Sequence, residues 1–286
     1  MKIRPLLRYT HLIYRSYSTS KRFPLVRAIE SNALDSFRSD QPSPIILRNC
    51  FGSIPAIPKW FIPSKDGSSS PALNLPYLEQ HGTTIVPLEL TRLRSSSRGA
   101  PQVSTFESFE APFSLFLSFI STSRDPSTRL YLAQCSLDDL PTQLRADLQT
   151  PDLISQAGKG DIYASSLWLG RPPTRTPLHR DPNPNLFVQL AGQKVVRLMT
   201  PDIGRQVYER ARAGRGHANM RGEEMMAGEE MERLEEAVWG DGVEAEECGW
   251  EARLGGGDGL YIPLGWWHSV RGIGKGVTGS VNWWFR

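Results

Sequence analysis

The chain has 286 residues and a mass of 32.0 kDa, which is enough for one large domain or two small ones. Its 39% hydrophobic and 22% charged residues are ordinary for a soluble globular protein, and no apolar run approaches the roughly 20 residues of a membrane-spanning helix. A net charge of only +3 and three cysteines without a CxxC pair argue against a nucleic-acid-binding stripe, a disulfide framework and a zinc-thiolate site.

The first 22 residues are basic, hydroxylated and free of acidic side chains. Residues 1–29 contain seven lysines and arginines and no acid, and Arg15-Ser16-Tyr17-Ser18 resembles a matrix-protease cleavage site. This composition predicts a mitochondrial transit peptide over residues 1–22 and a location in the mitochondrial matrix. The alternative is a disordered basic tail on a protein of the cytoplasm or nucleus.

Residues 23–120 are expected to form an α/β part that packs on the following domain. The pattern predicts a short helix over residues 27–38 and a buried strand at Ile45–Arg48. Residues 83–90 are rich in β-formers, whereas residues 106–120 are apolar at helical spacing and predict a helix.

Residues 121–286 carry short β-type segments with glycines between them, which is typical of the hairpins of a β-barrel or sandwich. Residues 202–254 interrupt this pattern with a Glu- and Met-rich, helix-forming stretch. Residues 223–251 hold twelve acids and one arginine, so this insert is expected to be helical and mostly solvated.

One hexapeptide, Thr176-Pro177-Leu178-His179-Arg180-Asp181, predicts a metal site. His179 and Asp181 are two residues apart, so on an extended strand their side chains point to the same side. His268, in the later stretch YIPLGWWH, is the candidate third ligand. Two histidines and one carboxylate form the facial triad of non-haem Fe(II) oxygenases, although an HxD triplet alone also occurs by chance.

Several ordered blocks around this triplet are more specific. From about residue 40 onward the chain contains PIILRNC, TIVPLEL, RLYLAQCSLDDLP, TPLHRDPNPNLFVQLAGQKVVRLMTPD, GDGLYIPLGWWHSVR and SVNWWFR. With these blocks it resembles the JmjC (cupin-like) Fe(II)- and 2-oxoglutarate-dependent oxygenases. The greatest similarity is to the small JmjC hydroxylases related to the asparaginyl hydroxylase of hypoxia-inducible factor. The resemblance implies a mainly β fold with flanking helices, in which residues 121–286 form a double-stranded β-helix, or jelly roll.

The resemblance also implies the site residues. Fe(II) would be bound by His179, Asp181 and His268, with no catalytic residue beyond these ligands. The co-substrate 2-oxoglutarate would be held by Tyr131, Thr176, Lys194, Asn185 and Asn282. Such roles suit the chemistry, because a buried dicarboxylate needs a cation and neutral donors to offset its lost hydration.

The implied reaction uses O2 and converts 2-oxoglutarate to succinate and CO2 while it hydroxylates a substrate C–H bond, with a protein or peptide side chain as the expected substrate. Demethylation of N-methyl-lysine and tailoring of a small molecule are alternatives at the same site. A non-catalytic cupin that binds a partner is a third alternative. A zinc hydrolase is disfavoured, because the blocks around His179 and His268 contain no glutamate that could act as its acid/base group. The sequence does not fix the oligomeric state.

Overall fold

The computed structural model describes residues 23–31, 37, 42–63, 70–94, 102–157, 159, 161–212, 226, 228–240 and 249–286. The predicted transit peptide, residues 1–22, lies outside these residues. Within the described part, the strands are β1 (Ala28–Glu30), β2 (Ile45–Arg48), β3 (Phe61–Pro63), β4 (Pro71–Leu73), β5 (Ile85–Arg94), β6 (Gln102–Pro112), β7 (Thr128–Ser136), β8 (Ile162–Gly170), β9 (Arg175–Arg180), β10 (Asn185–Ala191), β11 (Gln193–Met199), β12 (Trp250–Leu254), β13 (Gly259–Ile262), β14 (Trp267–Ile273) and β15 (Thr278–Phe285).

The α-helices of the same part are α1 (Ala56–Trp60), α2 (Leu75–Leu78), α3 (Phe113–Thr122), α4 (Thr142–Asp147), α5 (Asp152–Ala157), α6 (Pro201–Arg212) and α7 (Gly228–Trp239). Single 3-10 turns lie at Glu79–His81 and Leu137–Asp139. None of these helices combines the length and the apolar character that a bilayer crossing requires.

Strands β8 to β15 form a jelly roll of two facing sheets. Four of them, in the order β13-β10-β15-β8, belong to a nine-stranded sheet, and the other four form a sheet in the order β12-β11-β14-β9. The chain crosses from one sheet to the other between successive strands, except at β11 and β12, which pair directly. This arrangement is the double-stranded β-helix, so the predicted mainly β cupin fold with helices is confirmed.

Strands that precede β8 in the chain extend the larger sheet at both ends, while β3 and β4 form a separate two-stranded sheet. Strand β2 pairs with β13 at one end, and β7, β5 and β6 continue the sheet beyond β8 at the other. The predicted strand Ile45–Arg48 is therefore confirmed, and the β-rich stretch at 83–90 is a strand that continues to Arg94. One hydrophobic cluster, which includes Trp60, Phe116 and Trp283, joins these strands to the barrel.

Two predicted helices are wrong in part. Ala28–Glu30, within the predicted helix 27–38, is a strand that pairs in parallel with β2, while residues 32–36 and 38 lie outside the described residues. Of the predicted helix 106–120, only the part from Phe113 is helical. The preceding residues form β6, because an antiparallel ladder with β5 from Ile85 to Arg94 satisfies their backbone groups.

The prediction that the insert is mostly solvated is also wrong in part, because one face of its helices is buried. Helices α6 and α7 cover the outer face of the four-stranded sheet, where their buried residues pack on Leu178, Met199 and Trp267. These buried residues are Val207, Tyr208, Ala211, Leu234 and Val238. The many acidic side chains lower the average hydrophobicity of the insert, so the apolar residues at helical spacing were not recognised from the sequence.

Candidate metal centre

Strands β9 and β14 carry the three predicted metal ligands at one end of the barrel. The two strands are antiparallel, and His268 lies directly opposite His179 in their ladder. Opposed residues of such a pair project to the same face of the sheet. Their imidazole rings accordingly lie 4.2 Å apart between centroids, and both are buried, with 8% of His179 and 3% of His268 exposed.

The third ligand, Asp181, follows the end of β9 and faces both rings. Its Oδ1 lies 3.8 Å from the Nε2 of His179, and its Oδ2 lies 3.5 Å from the Nε2 of His268. One ligand atom from each residue can be chosen so that all three lie within 4.8 Å of one another. Two imidazole nitrogens and one carboxylate oxygen on one face match the donor set that non-haem iron takes.

Backbone carbonyls orient both imidazoles. The Nδ1 of His179 lies 2.8 Å from the carbonyl oxygen of Pro177, and the Nδ1 of His268 lies 3.5 Å from that of Trp266. When Nδ1 carries the proton and donates to these carbonyls, the Nε2 of each ring keeps a lone pair for a metal. Both Nε2 atoms point toward Asp181, as a shared ion requires.

A β-bulge in β9 brings Thr176 to the same side as the metal ligands. Strict alternation would turn Thr176 away from His179, because the two are three residues apart. The ladder shifts at this point, so that Pro177 and Leu178 together face the single residue Ser269 of β14. Thr176 then pairs with Val270 and is buried within the barrel, as its predicted role requires.

The two predicted asparagines form a hydrogen-bonded chain to Asp181. The Nδ2 of Asn282 donates to the Oδ1 of Asn185 at 2.9 Å, and the Nδ2 of Asn185 donates to the Oδ2 of Asp181 at 2.8 Å. Both amides are buried. The carboxylate is therefore oriented from β10 and β15, two strands that carry no ligand themselves.

Lys194 projects into the barrel from β11, and 2% of the residue is exposed. Its Nζ donates to the Oγ of Ser280 at 2.6 Å and lies 3.4 Å from the hydroxyl oxygen of Tyr131. No carboxylate of the described residues forms an ion pair with this ammonium. Burial without a counter-ion lowers the pKa of Lys194 from 10.5 to about 7.

The predictions missed Ser280 and Trp284 on β15. Strand alternation places both on the same face as Asn282, and this spacing within SVNWWF could have identified them. In the described part of the chain, the Oδ1 of Asn282 and the Nε1 of Trp284 are buried without a hydrogen-bond partner. One acceptor and one donor are thus available in the interior that Lys194 faces.

The residues of the site suit Fe(II) and 2-oxoglutarate, the two groups that the resemblance to JmjC oxygenases implies. Among the described residues no fourth His, Cys, Asp or Glu joins this cluster, so a bound ion would keep positions for a second molecule. The buried, unpaired ammonium of Lys194 and the hydroxyls of Ser280 and Tyr131 suit a carboxylate. The residues present therefore match Fe(II) and an anionic co-substrate.

An open cavity of about 540 Å³ lies next to the elements that carry the site. Pro184, which precedes Asn185, and Trp266, which lies two residues before His268, contribute to its walls. The other lining residues are prolines, aromatics and small or apolar side chains without charge, among them Trp250, Tyr261, Pro263 and Leu264. Its size falls within the roughly 300–1,000 Å³ of ligand pockets.

Comparisons with known proteins agree with this geometry. Residues 34–286 match the family described as "Cupin-like domain". The chain is 30% identical over 168 residues to "Lysine-specific demethylase JMJ30" of Arabidopsis thaliana, covering 58% of this chain and 34% of that protein. It is 35% identical over 80 residues to "Lysine-specific demethylase 8" of Danio rerio, covering 27% of this chain and 20% of that protein.

A third relative, "Jumonji C domain-containing protein 5" of Drosophila melanogaster, is 28% identical over 186 residues, or 60% of this chain and 41% of that protein. The matches thus span between a fifth and two fifths of the length of these curated relatives.

Proposed function

The chain belongs to the cupin-like JmjC family, and from this premise we propose that it is an Fe(II)- and 2-oxoglutarate-dependent oxygenase that hydroxylates a C–H bond of a protein side chain. One observation carries the proposal: the His179, Asp181 and His268 cluster shares the barrel with buried Lys194, which forms no ion pair with any carboxylate of the described residues. Bound Fe(II), 2-oxoglutarate and O2 would supply the oxidation, in which the co-substrate becomes succinate and CO2 and the substrate gains one oxygen atom.

The protein's own residues position the reactants. His179, His268 and Asp181 would hold the ion from one side, and the Asn282–Asn185 chain keeps the carboxylate of Asp181 in a fixed orientation. The two hydrogen bonds connect Asp181 through Asn185 of β10 to Asn282 of β15. Preformed orientation lowers the entropic cost of bringing reactants together.

Lys194 would select an anionic co-substrate. Its ammonium is desolvated, so a carboxylate that reaches it gains a strong charge-assisted hydrogen bond. Tyr131 lies 3.4 Å from the same Nζ and offers a hydroxyl on the same side. Thr176, placed inward by the bulge, would add a third polar contact.

The uncharged cavity beside the site supports a protein or peptide side chain as the substrate. Its prolines and aromatic rings offer an apolar surface to an entering segment, and Leu264 on its wall is 60% exposed. Protein hydroxylation is therefore the substrate class that we favour.

Lysine demethylation is the second candidate, and the names of the Arabidopsis and zebrafish relatives favour it. The chemistry is adjacent, because a hydroxylated N-methyl group leaves as formaldehyde. Mass spectrometry of proteins incubated with the enzyme separates the two outcomes. A gain of one oxygen atom supports hydroxylation, whereas loss of a methylene unit together with formaldehyde supports demethylation.

Succinate release tests the conversion of 2-oxoglutarate to succinate, the step that hydroxylation and demethylation share. His179→Ala and Asp181→Ala should each abolish substrate-dependent conversion of 2-oxoglutarate to succinate. His81→Ala removes a histidine from the 3-10 turn Glu79–His81 and is the matched control. Turnover at the wild-type rate in both ligand variants would refute the proposal, whereas absence of succinate release from the wild-type protein would favour a non-catalytic cupin.

We also propose that the protein acts in the mitochondrial matrix. The seven basic residues and absent acids of residues 1–29 support this location. Fusing residues 1–22 to a fluorescent protein tests it. Mitochondrial fluorescence is expected, and diffuse cytoplasmic or nuclear fluorescence would contradict the proposal.

A further inference from the structure

Helix α7 of the insert contacts both strands that carry metal ligands. Glu235 forms ion pairs with Arg175 of β9, at 3.6 Å, and with Arg271 of β14. Trp239 lies four residues after Glu235 and therefore on the same face of the helix. One face of α7 thus bridges β9 and β14 from outside the barrel.

The indole of Trp239 contacts two guanidinium groups. The Cζ of Arg197 lies 4.4 Å and that of Arg271 4.3 Å from the ring centroid. Arg197 also donates from Nη1 to the carbonyl oxygen of Val238 at 2.5 Å, at the end of the same helix. These cation–π contacts, together with the Nε1 hydrogen bond described next, restrict the orientation of the ring.

That N–H starts a hydrogen-bond relay into the barrel wall. The Nε1 of Trp239 donates to the Oγ of Ser269 at 2.9 Å, and this Oγ donates to the carbonyl oxygen of Thr176 at 2.8 Å. Ser269 is 1% exposed and follows the ligand His268 directly. The relay therefore joins the insert to β14 and to β9 in two steps.

The relay reaches β9 at the bulge. Ser269 faces Pro177 and Leu178 there, and Pro177 has no N–H to contribute to the ladder. The Ser269 hydroxyl adds a bond from β14 to the Thr176 carbonyl of β9 at this irregular point of the ladder. Thr176 and His179 lie on either side of this bulge, so its geometry determines whether both point into the barrel.

We propose that Trp239 and Ser269 are positioning residues through which helix α7 holds the β9 bulge, and thereby the imidazole of His179 and the side chain of Thr176, in place for the metal and the co-substrate. The inference rests on the proposed function, since it assigns the insert a part in that same site. Neither residue touches the reacting groups. Each acts through the backbone of β9.

Binding of Co(II) to the full chain provides a readout that needs no turnover, and the visible spectrum of the ion reports its coordination geometry. Trp239→Phe keeps a ring beside the two arginines but removes the N–H. Ser269→Ala removes the hydroxyl, and Ser269→Thr restores one in a side chain that suits a strand. Trp60→Phe is the control, because it removes an indole N–H that donates to Asp147 at 2.9 Å in the N-terminal part.

Trp239→Phe and Ser269→Ala should weaken Co(II) binding about 3- to 10-fold, less than the roughly 10- to 100-fold expected for a direct partner of a ligand. Both should also change the absorption of the bound ion. Ser269→Thr should bind within about twofold of wild type. Trp60→Phe should lower the melting temperature while its Co(II) affinity and spectrum stay unchanged.

The two proposals fail in different ways. If wild-type protein binds no Co(II), the metal site and the inference built on it are both refuted. If wild type binds and the Trp239→Phe and Ser269→Ala variants match it in affinity and spectrum, only the inference fails. An equal change in Trp60→Phe would also refute it, because the effect would then follow from stability alone.

Discussion

Asn185 donates the hydrogen bond that fixes Asp181, and it does so across 2.8 Å from the first residue of β10. Asp181 has already left β9, so its carboxylate is not held by that strand's ladder. The amide of Asn185 replaces that support. Because its own Oδ1 accepts from Asn282, the orientation of a metal ligand depends on a residue of β15.

Replacing Asn185 with leucine should therefore weaken metal binding. The substitution keeps a similar volume but removes the donor, and we expect the Co(II) dissociation constant to rise roughly 10- to 100-fold. Titration followed by visible absorption measures the change. Asn74→Leu removes the 2.7 Å hydrogen bond that the side-chain amide of Asn74 donates to the carbonyl oxygen of Lys59, and it should leave the Co(II) affinity unchanged. Wild-type affinity in the Asn185 variant would show that Asp181 needs no such support.

Binding of 2-oxoglutarate should weaken as the pH rises above about 7. Burial lowers the pKa of Lys194 to about 7, so the free protein offers a charged ammonium below that pH and a neutral amine above it. A bound carboxylate favours the charged form, so binding above pH 7 requires uptake of one proton and loses up to about tenfold in affinity per pH unit.

Calorimetry of the Co(II)-loaded protein between pH 6.5 and 8.5, in two buffers of different ionisation enthalpy, measures that proton directly. Lys194→Arg keeps its charge throughout and should bind without proton uptake. Identical heats in both buffers at pH 8 for wild type would contradict the assignment of Lys194 to the co-substrate.

Lys194→Met should stabilise the ligand-free protein at neutral pH by about 2 kcal/mol, because it replaces a buried ammonium that lacks a counter-ion among the described residues. The folded pKa lies below the unfolded value of 10.5, so the unfolded chain binds more protons between pH 7 and 10.5. Wild-type stability therefore rises with pH across this window, and the advantage of the variant shrinks toward its upper end.

Urea denaturation at several pH values measures this difference. Lys59→Met is the matched control: Lys59 pairs with Asp147 at 2.5 Å, so its loss should destabilise the protein. A Lys194→Met variant that is less stable than wild type at pH 7 would show that the ammonium is better compensated than its contacts indicate.

Gly204→Ala should lower the melting temperature, although alanine is the better helix former by about 1 kcal/mol. A Cβ on Gly204 would lie 2.2 Å from the Trp267 indole, so α6 would have to move away from β14 at a cost of about 1–3 kcal/mol. Gly52→Ala meets no atom within 4 Å and should change the melting temperature little. Equal melting temperatures for both variants would mean that α6 tolerates displacement.

The barrel and the clustering of His179, Asp181 and His268 could be predicted from the sequence because their signals are local or come as ordered blocks. The HxD spacing of His179 and Asp181 is readable on one strand, and strand alternation could have added Ser280. The bulge at Pro177 could not be read in this way. It depends on how β9 pairs with β14, whose residue Ser269 lies 93 positions along the chain from Thr176.

The wrong predictions share a physical cause. The apolar spacing of residues 106–112 suits a helix, yet β6 pairs with β5 along ten of its eleven residues. The acids of the insert similarly outweighed the apolar side chains that face Trp267. In both cases the structure depends on contacts with residues distant in the sequence, β5 for β6 and Trp267 for the insert. Local composition does not show such contacts.

The insert leaves the barrel after β11 and returns at β12, two strands that are adjacent antiparallel partners with Leu198 opposite Trp250. Its two ends are therefore already neighbours in the sheet, and lengthening or shortening it changes the closure entropy only slowly, by about 0.6 kcal/mol per doubling. Segments of different length can therefore connect β11 to β12 at a similar entropic cost. Evolution or protein engineering can replace the insert without redesigning the jelly roll, provided that the new segment still braces β9 and β14.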